Sequence, residues 1–243
     1  MATKKKTKSK RVATRPPDNG LNRESIVATA LRLIDKHGLE EFSLRSVAKS
    51  LGVYPTAVYW YVNSKEKLLA EAIALAFRPE EPPDPTSDWR EDIRKIFYRW
   101  RQAIRRHPNI APAVASQLTS NTDVQFELVE RILDDLSRAG FKGKALVGAY
   151  NAIIASLVGF VAQEFAALPR DDFPGFQAFM KDRLLSVDSR VYPVLSANVP
   201  MLANHAFILR WQNGVEVPLD DSFDFYIDLL IGGLSVALEG SRS

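Results

Sequence analysis

From Leu21 onward the apolar residues recur at intervals of three and four, and no stretch sustains the alternation or the regular turn spacing of a sheet. That period confines the chain to an all-α fold. With 243 residues, 46% of them apolar, it can bury a sizeable core as one large domain or two small ones. Helix signals divide it further. Asn22 is placed to cap a first helix whose stripe is Ile26, Ala30, Leu33 and Ile34 and whose end is Gly38. Ser43 precedes a short second helix with Leu44, Val47, Ala48 and Leu51 as its apolar positions, closed by Gly52. Pro55 fits the first position of a third, where its missing N–H costs nothing, and Ser64 opens a fourth through about Phe77.

The proline-rich, acidic run RPEEPPDPTS at 78–87 cannot be helical for long and connects to a second part. There the pattern predicts helices from Trp89 to about His107, near Ile110–Gln117, over Asp123–Arg138, over Ala145–Ala167 and over Ser222–Leu238. Gly140 and Gly143 bracket a break, and the prolines of 169–218 leave room only for short helices. The domain organisation expected is a basic, disordered tail at 1–20, a helix-turn-helix domain at 21–67 and a larger helical domain at 68–243.

Charge separates the same parts. Residues 1–67 carry a net +8 and residues 68–243 a net −5, so one end is suited to a polyanion. Residues 1–20 alone carry +6. Such a tail is either a solvated solubilising segment or an arm along a phosphate backbone, where each neutralised phosphate releases counterions.

The third helix carries the functional signal. At 100° per residue Val58 and Val62 share an inward stripe, while Thr56, Ala57 and Trp60 point outward between Tyr59 and Tyr61. A solvated surface does not ordinarily display Tyr-Trp-Tyr. A helix in the major groove can use it, through tyrosine hydroxyls to phosphates and apolar faces to thymine methyls. The competing reading, for any one of these aromatics, is that it completes a small core.

The run SLRSVAKSLGVYPTAVYWYVNSKEKLL at 43–69, with LNRES at 21–25, resembles the DNA-binding region of the TetR (tetracycline repressor) family, and within it the tetracycline-repressor branch. RRHPNIAPAVA at 105–115, GAYNAIIASLVGFVAQE at 148–164 and FDFYIDLLIGGLSVAL at 223–238 are similar to the C-terminal domain of that branch. The resemblance implies an N-terminal three-helix DNA-binding domain and a helical second domain that holds an effector and dimerises. It implies DNA contacts at Arg45, at the reading turn Pro55, Thr56 and Ala57, at Tyr59, Trp60 and Tyr61, and at Lys65 as a phosphate clamp at a helix N-terminus. This chain has Pro55-Thr56-Ala57 in place of the branch's Gln-Pro-Thr, Tyr61 in place of a histidine, and Leu44 in place of a threonine. Without the glutamine a bidentate adenine reader is gone, so the operator differs and shape readout gains weight.

Candidate effector contacts are Phe97, Trp100, Arg101 and His107 on one helix and Tyr150 and Ile154 on another. Aromatics at helical spacing serve equally as core, and His107 as a helix cap. The branch's tetracycline–magnesium set cannot be placed here, and neither metal nor other cofactor is expected. The helix at 145–167 is apolar nearly all round, with Gly148, Ala152, Ala155, Ser156 and Gly159 small enough for close helix approach. With the helix at 222–238 it is expected to form half of a dimeric four-helix bundle. A membrane span is the weaker alternative: about 18 residues, containing Asn151, fall short of the roughly 20 required.

Enzyme classes fare poorly. Cysteine is absent, the three histidines have no metal-ligand spacing, and GxSxG, GxGxxG and HExxH do not occur. The basic N-terminus lacks the apolar core of a signal peptide, which leads to a cytoplasmic expectation. The function expected is a homodimeric repressor released from a palindromic double-stranded DNA operator by a small apolar or aromatic effector. The alternatives are an activator, an effector-independent regulator, or an architectural DNA binder that uses the tail without sequence preference.

Overall fold

The computed structural model describes residues 21–78, 86–114, 126–169 and 171–240. The expected tail at 1–20, most of the connector at 78–87, the end of the helix expected near Ile110–Gln117 and the start of that expected at Asp123 lie outside the described residues. Among the described residues every regular element is a helix.

The first helix, α1 (Arg23–His37), begins in a capping box: the Asn22 side chain accepts from the Ser25 N–H, and the Ser25 hydroxyl accepts from the Asn22 N–H. It buries Ile26, Ala30 and Ile34 and stops at Gly38, whose φ of 79° excludes most side chains. A second capping box, Ser43 with Ser46, starts α2 (Leu44–Ser50). Gly52, at φ 67°, turns the chain so that the Val53 N–H reaches the Ala48 carbonyl, and α3 (Pro55–Tyr59) follows with Pro55 in its first turn. Ser64 caps α4 (Lys65–Phe77), which packs along α1 through Leu68, Ala72 and Ile73. Arg23 grips Glu71 through two nitrogens and ties the start of α1 to α4. The boundary expected at 67/68 therefore falls inside one continuous helix that belongs to the packing of the first part.

Phe77, the last residue of α4, stacks on Trp100 at 4.0 Å and so joins the two parts. Trp100 lies on α5 (Trp89–Arg106), which packs against α6 (Phe126–Ala139) and α7 (Gly143–Glu164). A buried ion cluster clips α5 to α6. Asp92 accepts from the Thr86 N–H at 3.0 Å and faces Arg138 at 3.0 Å and Arg131 at 3.3 Å, with buried Asp135 between the two arginines. Burial alone would raise the Asp92 carboxyl, but the Thr86 hydrogen bond and the two guanidiniums hold it below the usual carboxylate range. For Asp135 burial dominates and pushes the group up.

A depressed folded-state pKa contributes stability above the unfolded value of about 3.9, lost as pH falls through the folded value. Asp92→Asn is thus expected to melt well below the parent at pH 7, with a gap that narrows below about pH 4. An unchanged gap between pH 3 and pH 7 would assign the loss to something other than the carboxylate.

Helix α7 starts two residues before the position read from sequence and ends three residues earlier, because Glu164 and Phe165 are drawn into the core and Gly214 donates to the Glu164 carbonyl at 2.7 Å. Two shorter helices follow, α8 (Phe173–Leu185) and α9 (Pro193–Leu202). Between them they bury only Leu184, so most of their apolar side chains face outward. The last, α10 (Asp220–Gly240), packs on α5 and α7, with Phe223 and Tyr226 against Phe160. It begins at Asp220 rather than Ser222 because Arg101 holds the Asp220 carboxylate.

Candidate nucleic-acid interface and effector domain

The periodicity of the third helix translates directly into faces. Val58 and Val62 are buried, whereas Thr56, Tyr59 and Trp60 are exposed, the last two at 48% and 57%. Ala57 and Pro55 are half-buried. Arg45 projects from the first turn of α2 and Lys65 from that of α4, where the helix dipole adds to its charge; Lys65 also lies over the Phe42 ring at 5.7 Å. Thr56, Tyr59, Trp60, Asn63 and Lys67 line an open concavity of about 590 Å3. Side-chain caps at Ser43 and Ser64 fix the starts of α2 and α4, and Pro55 opens α3, so cationic and aromatic groups project from a defined base.

Tyr61 differs from its companions. Its hydroxyl donates to the Leu21 carbonyl at 2.8 Å and its own carbonyl accepts from Arg23, so it is half-buried against the entry to α1. Leu44, at the position where the resemblance has a threonine, is buried in the core and faces away from this surface. Tyr54 was not among the expected contacts and is the most exposed aromatic of the region, at 84%. The available signal was its place as the residue before Pro55, at the cap of the reading helix, where no side-chain cap bond engages it.

The packing commits four of the six candidate effector residues to other contacts. Phe97 is fully in the core. Trp100 is engaged by Phe77, although its indole Nε1 has no hydrogen-bond partner among the described residues. Arg101 is spent on carboxylates: it makes a two-nitrogen pair with fully buried Glu164 at 2.6 and 2.8 Å and reaches Asp220 at 2.7 Å, with its guanidinium over the Phe223 ring. Such a pair consumes the fork that an effector would need. His107 closes α5 and its Nδ1 meets Asp35 of α1 at 2.9 Å, while the Asn109 amide donates to the Ile34 and Asp35 carbonyls. Tyr150 and Ile154 sit half-buried on α7, and burial raises the Tyr150 phenol. Neither the concavity beside Thr56 nor one walled by Met201, Leu202, Phe207 and Leu219 is lined by any of the six. Among the described residues no cluster of three or more His, Asp or Glu side chains is arranged to hold a metal ion.

Residues 26–72 match the family model of bacterial regulatory proteins, tetR family, and residues 81–238 match that of the tetracyclin repressor-like C-terminal domain. The chain belongs to the TetR family. It is therefore a DNA-binding transcriptional regulator with a helix-turn-helix N-terminal domain. Among relatives, it is 31% identical to the class E tetracycline repressor protein of Escherichia coli over 149 residues, 60% of this chain and 70% of that one. Among solved structures, the fold is shared with BioQ in complex with its double-stranded DNA operator (TM-score 0.60, 21% identity, 89% of this chain and 99% of that one). It is shared as well with the Streptomyces coelicolor TetR-family protein ActR in complex with actinorhodin (TM-score 0.65, 18% identity, 89% and 96%).

Proposed function

We propose that this TetR-family regulator is a cytoplasmic, homodimeric repressor that leaves a palindromic operator when a small apolar or aromatic effector binds its second domain. The observation that carries the reading is the surface of Arg45, Tyr54, Thr56, Tyr59, Trp60 and Lys65 on α2, on and beside α3, and at the start of α4. Two such heads about 34–36 Å apart meet successive major grooves. BioQ, of the same fold, was solved on its own operator, and ActR with actinorhodin.

A second copy of the chain accounts for features that one copy leaves without purpose. Val147, Gly148, Asn151, Ala155 and Gly159 form an exposed row on α7, and Phe225, Leu229 and Val236 do so on α10. A Cβ added at Gly148, Gly159, Gly232 or Gly233 would meet nothing within 4 Å in its own chain. Mid-helix glycine costs about 0.5–1 kcal/mol relative to alanine, so four such residues suit the close approach of other helices. The helices at 145–167 and 222–238 are thus the proposed dimer interface. Although α7 is long and apolar enough to cross a membrane, a protein partner is the cover proposed for its open face.

The effector half of the reading places the molecule among Phe97, Trp100, Tyr150 and Ile154, where the unpaired indole N–H of Trp100 offers a donor. Movement of α5 there is passed to the DNA-binding part by the Phe77–Trp100 stack and by the His107 and Asn109 contacts to the end of α1. A coupling of about 1–3 kcal/mol gives roughly 5–150-fold release.

Selection of bound duplexes from a random DNA library, at near-physiological salt, tests the whole. An enriched palindrome is expected. Lys65→Ala should weaken all sequences alike and reduce the salt slope by about one, whereas Tyr59→Ala should also change the preferred bases. Binding without enrichment that only fades with salt would overturn the reading in favour of an architectural binder.

A further inference from the structure

The lysine-rich run KKKTKSKR at 4–11 plays no part in the helix-turn-helix, yet with Arg15 it supplies the seven cations behind the net +6 of residues 1–20. Those residues lie outside the described ones, but the place where they join the fold is fixed. Leu21 packs half-buried against the core, and its carbonyl accepts from the Tyr61 hydroxyl at 2.8 Å. The capping box of Asn22 and Ser25 sets the next turn. Arg23 adds a further hold, donating to the Tyr61 carbonyl at 3.3 Å and to Glu71 at 2.7 Å. Tyr61 is in turn a wall of the concavity that Thr56, Tyr59, Trp60, Asn63 and Lys67 line. The chain therefore enters the fold at the rim of the DNA-reading surface.

Two polyanions compete for the seven cations. One is the acidic face at the start of α10, and it is largely spent. Asp220 holds Arg101 and Arg105, Asp224 accepts from the Tyr98 hydroxyl, and Asp228 holds Arg94. The other is the duplex itself, whose phosphates flank any site that α3 reads and so lie next to the rim. Ten residues separate Leu21 from Arg11, a reach of at most about 35 Å. That length matches about ten base pairs of duplex at a rise of about 3.4 Å each. Composition indicates what is contacted there. Five of the seven cations are lysines, compact point charges suited to phosphates, and residues 1–15 contain no Asn, Gln or aromatic side chain to read a base or stack on it.

We infer that residues 4–15 are a second DNA-binding element, which lies along the phosphates beside the site read by α3 and adds affinity without base preference. Each phosphate it neutralises releases counterions, so its contribution is steeply salt-dependent. The inference rests on the chain being a DNA-binding regulator and not on the repressor or effector reading.

The test compares the full chain with a full-length variant in which all seven cations of residues 4–15 are changed to glutamine. Both are titrated onto an arbitrary duplex of about 40 base pairs, and onto the site recovered by selection, either cut at its edges or extended by about ten base pairs on each side. The parent is expected to gain about tenfold or more from the extension and the variant nothing, with the parent's salt slope steeper by at least about three on both long duplexes. The preferred bases should be the same for the two proteins. Because the chain has no cysteine, Ala13→Cys offers a single attachment point for an iron chelate, which should cut the flanking duplex within about ten base pairs of the site. Equal gains, equal slopes, altered base preference in the variant, or cutting absent from the flanks would overturn the proposal. A variant that is merely less soluble, with undiminished DNA affinity, would overturn it too and leave the tail as a solvating segment. Should selection recover no site, the operator reading fails, while the slopes on the arbitrary duplex still decide this one.

Discussion

Replacing Leu229 by arginine is expected to leave the protein monomeric and to cut its affinity for a full palindromic operator by about a hundred- to ten-thousand-fold. Leu229 lies on the outward row of α10 and is 59% exposed, so the change removes nothing from the core of its own chain. The loss comes from linkage: in a dimer the second head binds its half-site at a high effective concentration, and a monomer forfeits that gain. Gly159→Leu on α7 should act in the same way, because a Cβ there meets nothing within 4 Å of its own chain and the added side chain blocks the approach of another. Sedimentation of the two variants with operator titration decides the matter. A variant that remains dimeric with undiminished operator affinity would place the interface elsewhere. Unfolding by urea provides the internal control, since the chain's own packing is untouched.

The largest expected loss of stability follows Arg101→Met. Arg101 is 4% exposed and Glu164 fully buried, and the two are joined through two nitrogens on helices 63 residues apart in sequence. Removing the guanidinium leaves a carboxylate in the core with only the Leu219 N–H as partner among the described contacts. Breaking one side of such a pair costs about 3–5 kcal/mol. The start of α10 should loosen with it, because Asp220 loses its 2.7 Å contact. The double variant with Glu164→Leu should recover most of the loss, since an apolar pair of similar volume needs no counter-charge. A urea titration in which the single variant loses less than about 1 kcal/mol would show that Arg101 is not the counter-ion the core depends on.

Much of the DNA-binding part was legible because its signals are local. Asn22, Ser43 and Ser64 cap the helices they precede, Gly38 and Gly52 occupy positive φ, and Val58 and Val62 face inward as a 3.6-residue period requires. The same locality explains the misplacements. The helical wheel carries Tyr61 outward, but α3 ends at Tyr59 and a hydrogen bond to Leu21, forty residues away, turns the ring back toward the core. Tyr54 lies one residue before the reading turn to which the resemblance assigned contacts.

The second domain was readable as helices and unreadable as a site. Phe97, Trp100 and Arg101 share a face at helical spacing, and that spacing is the same for core, ion pair and ligand contact. The partners that decide among these are Phe77, Glu164 and Asp220, each remote in sequence. His107 likewise meets Asp35 of the first helix.

The sequence by itself determined the helical class, the order and approximate ends of the helices, and the outward face of the third helix, since capping, periodicity and turn chemistry act over four or five residues. Tertiary structure alone decided which charges and aromatics were spent in the core and which remained available. Pairing is a property of distance in space, and residues 39 to 145 positions apart meet in the ion pairs and hydrogen bonds that join α5 to α6, α7 and α10.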